Sequence, residues 1–338
     1  MKRRLAVLLL AAWMLAPDLV RAADSAVILM YHRFGETKFP STNIRLKQFK
    51  AHIDALKSGP YHVLPVSEIV AKILSGAPLP ERTVGITVDD GYLSVFKQAW
   101  PRLRAAGLPF TVFISTDLAD AGSASYMRWE QIRQLRAGGV EIGAHTASHP
   151  HMIALDAARL DDELQKSNAR FKAELGAMPD FFAYPYGEGG GRERALALKS
   201  GYRAAFGQHS GVFHKTSEVT YIPRFALNES FGAIGRFRLV INALPIPVAD
   251  VAPADAGIGA ANPPNFGFTV TGDIGNLKNL GCFASSEGRA RVEILGSRRV
   301  EVRLKNPLPR GRSRINCTLR DSSGRWRWLG SIFYVPHK

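Results

Sequence analysis

Three short stretches of this sequence carry side chains that could act together as a catalyst. Asp89-Asp90-Gly91 sets two carboxylates side by side, His145-Thr146-Ala147-Ser148-His149 sets two imidazoles four residues apart, and Pro185-Tyr186-Gly187 forms a tight turn with one aromatic. Adjacent side chains at a strand end point in different directions, so one carboxylate can bind a metal while the other faces a bound water. Imidazole with carboxylate is an ordinary zinc donor set. A Pro-aromatic-Gly turn fixes a backbone N–H in space, as stabilising a developing oxyanion requires. Singly, each stretch has a plainer reading. Asp-Asp-Gly is common in turns, and the histidine pair is not a metalloprotease helix, because Thr146 stands where that motif needs its glutamate. His151 is a further candidate, but it lies beyond the turn at Pro150 and reads as a surface residue.

The elements around these stretches make them more than turns. Apolar β-rich runs alternate with helical patterns: 26–31 then 46–57, 83–88 then 93–106, 110–115 then 129–137, and 140–144 then 157–175. Such alternation predicts parallel βαβ units and an α/β layered or barrel domain. Asp89-Asp90, His145-x-x-x-His149 and Tyr184-Pro185-Tyr186-Gly187 each follow directly on a strand-like run. The carboxyl ends of parallel strands are where this class of fold builds its sites. Three motifs at that one face make coincidence the weaker explanation.

The rest of the chain is organised differently. The 338 residues are 46% hydrophobic and 22% charged, proportions of a folded protein long enough for about two domains. Met1-Lys2-Arg3-Arg4, the apolar run 5–16 and Val20-Arg21-Ala22 have the layout of a secretory signal, with cleavage expected after Ala22. No later segment is long and uncharged enough to span a bilayer, so the mature chain is expected without a transmembrane segment, exported to the periplasm or secreted. Loss of residues 1–22 takes the net charge from +15 to +12. The expected domains are a barrel over 24–244, a Pro/Ala/Gly linker over 245–265 and a small basic β-sandwich over 266–338. Cys282 and Cys317 both lie in that last part, and export favours a disulfide, expected across the two sheets, over two buried thiols.

Together the motifs resemble the polysaccharide deacetylases, carbohydrate esterase family 4. The matching text is Thr87-Val88-Asp89-Asp90, His145-Thr146-Ala147-Ser148-His149 and Tyr184-Pro185-Tyr186-Gly187, within roughly residues 26–230. The resemblance implies a distorted (β/α) barrel. It also implies a divalent metal, zinc before others, held by Asp90, His145 and His149, with Asp89 as base and the Tyr186 N–H facing the oxyanion. The expected reaction is removal of N-acetyl groups from an N-acetylglucosamine-containing polysaccharide.

This sequence departs from the family pattern at two places. The family's arginine, which tethers the catalytic carboxylate from two residues before the Pro-Tyr-Gly turn, is Ala183 here; Arg224, after a later strand-like run, is the candidate replacement. The late Leu-x-His motif that supplies the acid for the leaving amine is absent, the comparable stretch being Leu239-Val240-Ile241-Asn242. His209 and His32 both end predicted strands and are the candidate acids, with His209 favoured for its flanking glycines. Tyr31, Tyr126, Trp129, Tyr184 and Tyr186 are candidates to stack on sugar rings, as are Trp326 and Trp328. Residues 282–338 carry 13 Lys or Arg against four acids, which points to an anionic cell-envelope polymer as a further partner. Export disfavours nucleic acid. A catalytically weak, glycan-binding barrel of the same fold is the competing reading, resting on the two departures.

Overall fold

The computed structural model describes residues 22–336, so the expected signal segment lies, but for Ala22, outside the described residues. The centre of the first domain is Thr83–Val88, a TVGITV run buried at every position. This is the pattern of a parallel strand covered on both faces. Six strands carry the sheet: Ser25–Tyr31 (β1), Thr83–Val88 (β2), Thr111–Ile114 (β3), Glu141–Ala144 (β4), Phe181–Ala183 (β5) and Ala204–Phe206 (β6). They lie in the spatial order β6-β5-β4-β3-β2-β1, each pair parallel. Beyond β1 the short strand Phe213–His214 pairs antiparallel and Phe225–Ala226 pairs parallel, the latter against Leu29 and Met30. The result is the curled, incompletely closed barrel of the α/β class that the alternation predicts.

Helices cover the outside. Val66–Ser75 (α1) buries Val66, Ile69, Val70 and Ile73, one stripe at helical spacing, and ends at Gly76 in the left-handed region. Each of these buried aliphatics contributes about 1.5–3 kcal/mol. The stripe seats on β2 over Gly85, where a Cβ would stand 2.8 Å from Ile28 Cδ1 and 3.0 Å from Ile69 Cδ1. Only glycine allows so close an approach. Ala157–Leu175 (α2) is capped by the Asp156 carboxylate, which accepts from the Arg159 N–H, and buries Leu160, Leu164 and Phe171.

The C-terminal part is all β. Leu244–Pro245, Trp326–Val335, Gly311–Arg320, Gly281–Ala284 and Gly288–Arg289 form one sheet, and Val248–Ala252, Phe266–Val270, Arg299–Arg303 and Arg291–Leu295 form the other. Gly311–Arg320 alternates buried and less buried positions from Ser313 to Leu319. Its inward residues Ile315, Cys317 and Leu319 join Phe266, Phe268, Val300, Val302 and Phe333 in a common core.

Two expectations change here. The Pro-rich stretch 245–265 does not run free as a linker, because Val248–Ala252 pairs antiparallel with Phe266–Val270 and Leu244–Pro245 pairs with Trp326–Val335. Both are edge strands, and the one proline within them is Pro245, at a position where edge strands tolerate it. Cys282 and Cys317 are bonded, but between neighbouring strands of one sheet rather than across the two sheets; they oppose one another directly, with Cα atoms 4.0 Å apart.

The two domains touch along a definite seam. The Trp328 ring packs edge-on against Phe225 at 5.3 Å, and Arg325 reaches Glu81 at 3.0 Å and the Asn242 carbonyl at 2.8 Å. Trp328 also donates its indole N–H to Asn316 at 2.9 Å, so this tryptophan belongs to the seam and not to an open sugar-stacking face. Trp326 is the more exposed of the pair.

Candidate active site

All three motifs emerge at the carboxyl ends of β2, β4 and β5. Asp89 donates its N–H to the Tyr31 carbonyl at 2.9 Å, extending the β1–β2 ladder by one residue before the chain turns. His145 does the same toward Ile114 at 2.9 Å. Beyond those last ladder bonds the backbone is forced. Asp90 (φ 73°), Thr146 (φ 64°), His149 (φ 61°) and Tyr186 (φ 59°) make up four of the six described non-glycine residues with positive φ. Left-handed conformations in residues with a Cβ persist only where the surroundings over-determine them, and their gathering in one place marks a functional site.

The surroundings here are specific. Glu163 on α2 accepts the Ala147 and Ser148 N–H groups at 3.0 and 2.8 Å and the Ser148 hydroxyl at 2.6 Å, while Thr146 Oγ1 accepts the His149 N–H at 3.0 Å. One carboxylate thus holds the loop between the two histidines. At the third motif Gly187 (φ 74°) is obligatory, since a Cβ there would lie 2.5 Å from Gln208 Cβ and 2.7 Å from its backbone nitrogen. Tyr221 donates its hydroxyl to the Gly187 carbonyl at 2.6 Å and fixes the same turn.

Asp90, His145 and His149 converge. One donor atom from each lies within 4.8 Å of the others, and both imidazole Nε2 atoms are 3.2 Å from Asp90 Oδ1. His145 Nδ1 is 2.6 Å from the Ala183 carbonyl, which can only accept, so the proton sits on Nδ1 and Nε2 presents a lone pair. His145 Nε2 and Asp90 Oδ1 are buried without a hydrogen bond. Two buried acceptors aimed at one point are repulsive unless a cation lies between them. The donor set and its orphaned atoms therefore fit a divalent ion of the zinc type.

Asp89 points elsewhere. It is fully buried, and Arg224 clasps it with two bonds, Nη1 to Oδ1 at 2.6 Å and Nη2 to Oδ2 at 2.7 Å. Arg224 is itself without solvent exposure, and gives two further donors to Thr87 Oγ1 at 3.0 Å and the Gly207 carbonyl at 2.8 Å. Burial raises the Asp89 carboxyl, yet the Arg224 guanidinium leaves it lowered and hence ionised at neutral pH.

Of the two candidate acids, His32 follows directly on β1, next to Tyr31, whose carbonyl accepts the Asp89 N–H at 2.9 Å. Burial lowers the His32 imidazole, while the Asp90 and Asp89 carboxylates act on it in the opposite sense. His209 stacks on Tyr221 at 4.4 Å instead, and the charges acting on it are Arg194 and Arg224. Burial with those two cations takes its pKa down to about 3. His209 lines a cavity of about 780 Å³ between barrel and sandwich, which none of the metal-facing residues lines. The glycine at 207 serves this packing, since a Cβ there would meet the His209 ring at 2.6 Å.

The candidate stacking aromatics also divide. Tyr31, Trp129 and Tyr184 are buried in the barrel core. Tyr126 and Tyr186 are not fully buried; Tyr126 stacks on Tyr92 at 4.9 Å, and Tyr186 lies edge-on to His149 at 4.6 Å. Three further residues stand beside these, two of them with no sequence signal of their own. Glu163 is one of several acids on α2, Glu188 follows the turn as an unremarked carboxylate, and His151, exposed as its surface reading expects, places Nδ1 2.9 Å from Glu188 and stacks its ring on Tyr186 at 4.0 Å.

Comparison with known proteins agrees with this geometry. Residues 76–205 match the family model described as polysaccharide deacetylase. The Bacillus subtilis (strain 168) protein YxkH is 27% identical over 176 residues, covering 52% of this chain and 62% of that protein. The poly-beta-1,6-N-acetyl-D-glucosamine N-deacetylase of Escherichia coli K12 is 25% identical over 232 residues, 54% of this chain and 33% of the relative. This chain therefore spans less than two thirds of both relatives. Among solved structures, the Streptococcus pyogenes deacetylase PplD in complex with acetate has a TM-score of 0.60 at 19% identity, covering 64% of this chain and 98% of that one. IcaB from Ammonifex degensii has a TM-score of 0.56 at 24% identity, again covering 64% and 98%. These two likenesses establish the shared fold. With the family match over residues 76–205 and the motifs at the strand ends, the barrel of this chain is similar in sequence and fold to polysaccharide deacetylases.

Proposed function

We propose that the chain is an exported, metal-dependent deacetylase that removes N-acetyl groups from an N-acetylglucosamine polysaccharide. The observation that carries this reading is the division of labour between the adjacent carboxylates: Asp90 faces His145 and His149, while Asp89 is turned away into the Arg224 clasp. An amide resists water, so its hydrolysis needs an activated nucleophile, a stabilised oxyanion and a protonated leaving amine. A zinc-type ion held by Asp90, His145 and His149 would supply Lewis-acid polarisation of the acetyl carbonyl and a water of lowered pKa. Asp89, kept ionised and oriented by Arg224, takes the proton of the attacking water. The Tyr186 N–H donates to the developing oxyanion. His32 protonates the departing nitrogen, and acetate and a glucosamine unit are released.

The substrate class is supported by the names of the Escherichia coli relative and of its Staphylococcus aureus counterparts, poly-beta-1,6-N-acetyl-D-glucosamine N-deacetylases. Tyr126, at the rim beside Tyr92, offers a ring face to a pyranose. Export rests on the N-terminal layout and agrees with the disulfide; among the described residues no helix is long and apolar enough to cross a membrane. The basic sandwich remains a candidate contact for an anionic envelope polymer through exposed Arg289, Arg298, Arg310 and Arg320. Arg224 also removes one of the two departures on which the inactive-barrel reading rests. The test is acetate release from β-1,6-linked N-acetylglucosamine oligomers, with chitin oligomers and peptidoglycan fragments in parallel. Release from the first set is expected, and none from any of the three would refute the reading.

A further inference from the structure

Arg312 stands on Gly311–Arg320 of the sandwich, far outside the family-matched residues 76–205. Its side chain crosses the seam, and each of its barrel contacts falls on the turn after β5. Nη1 donates to the Tyr186 carbonyl at 2.7 Å, the guanidinium carbon lies 5.3 Å from the Tyr186 ring centroid, and Nε is 3.7 Å from Glu188 Oε1. The Glu188 side chain has no solvent exposure, and it is bound on its other side by His151, whose ring lies parallel to that of Tyr186. Tyr186 is thus gripped by its ring between His149 and His151 and by its carbonyl from the other domain. This is the residue whose left-handed backbone a Cβ disfavours.

We propose that Arg312 is a positioning residue of the active site, so that the sandwich completes the turn whose N–H serves the oxyanion rather than serving only as an appended polymer-binding module. This rests on the deacetylase reading. Docking of the domains does not need Arg312, because Trp328 on Phe225 and Arg325 on Glu81 and Asn242 already join them elsewhere. The planar fork of arginine reaches a carbonyl and a carboxylate together, which the single ammonium of lysine does less well.

The test compares zinc-loaded wild type with Arg312→Ala, Arg312→Lys and, as a seam control, Arg325→Ala. The readouts are steady-state acetate release, zinc content and hydrogen exchange of peptides spanning 184–190. Arg312→Ala should lower kcat about tenfold, leave KM within about twofold and zinc content unchanged, and speed exchange in the turn. Arg312→Lys should recover part of both losses, whereas Arg325→Ala should lower thermal stability without moving kcat or the turn. Unchanged turn exchange in Arg312→Ala, or an equal loss of kcat in Arg325→Ala, overturns the proposal. A wild type that releases no acetate refutes the deacetylase reading instead, and turn exchange in Arg312→Ala still decides whether Arg312 holds the turn.

Discussion

The guanidinium of Arg224 grips Asp89 through two bonds of 2.6 and 2.7 Å, and neither side chain touches solvent. A carboxylate fixed in this way stays ionised and cannot swing toward the metal donors, which suits it to accept a proton in one direction only. Removing one partner of a buried pair leaves an uncompensated charge, which costs about 3–5 kcal/mol. Arg224→Met should therefore destabilise the fold by that order and abolish most acetate release, while Asp89→Asn/Arg224→Met should recover much of the stability and none of the activity. Urea unfolding with acetate assays on the same samples checks both halves. If the double variant were no more stable than Arg224→Met, the pair would not be the electrostatic unit described.

The acid assignment separates His32 from His209. His32→Ala should lower turnover by roughly 10²–10⁴ with zinc content unchanged, the usual contribution of a general acid. His209→Ala should keep turnover within a few fold, since His209 faces the seam cavity. Single-site kinetics paired with metal analysis decide this. The reverse ranking would return the proton donor to His209.

Much of this arrangement is legible in the chain itself. Thr83–Val88 followed by Asp89-Asp90 reads as a buried strand ending in chemistry because parallel strands are continuously apolar and their sites lie at their carboxyl ends. Arg224 could be nominated because it follows a strand-like run near the missing tether. The placements that could not be read from the chain have physical reasons too. His209 obeys the same strand-end rule as His32, but the chain after Phe206 turns toward the sandwich, and no local pattern records that turn. The Pro-rich stretch 245–265 looks like a linker because proline depletes central strands, and an edge strand escapes that rule. Glu163, Glu188 and Arg312 act from other elements on loops they never adjoin in sequence.

Acid should unfold this protein well before its carboxylates protonate. His52, which bonds the Tyr31 hydroxyl and the Gly232 carbonyl, has its pKa taken from 6.5 down to about 4 by burial, with Arg236 acting in the same direction. His214 falls to about 4 and His209 to about 3, again chiefly by burial. Between these values and 6.5 the unfolded chain binds protons that the folded one does not. This penalty is absent above pH 6.5 and grows as the pH falls toward 4. Urea midpoints of the chelated protein should drop steadily across that interval, and His52→Gln should flatten the slope. A flat profile between pH 6.5 and 4 would mean that these imidazoles already charge in the folded state.

Metal should stabilise as well as activate. His145 Nε2 and Asp90 Oδ1 are buried acceptors at 3.2 Å, so an ion between them relieves a repulsion that the metal-free fold bears. Zinc at about one hundred times its Kd should add about 2.7 kcal/mol to stability, seen as a rise in Tm. His145→Ala and Asp90→Ala should each remove that rise. An undiminished zinc-dependent rise in either variant would place the ion elsewhere.

The central claim is that hydrolysis depends on an ion held by Asp90, His145 and His149. The most direct measurement strips the protein with a chelator, then titrates zinc back while acetate release from a β-1,6-linked N-acetylglucosamine oligomer is followed. Activity should vanish on stripping, return in proportion to added zinc, saturate at about one ion per chain as a single mononuclear site requires, and fail to return in His149→Ala. Full activity in the stripped protein, or its recovery by zinc in His149→Ala, would contradict the account.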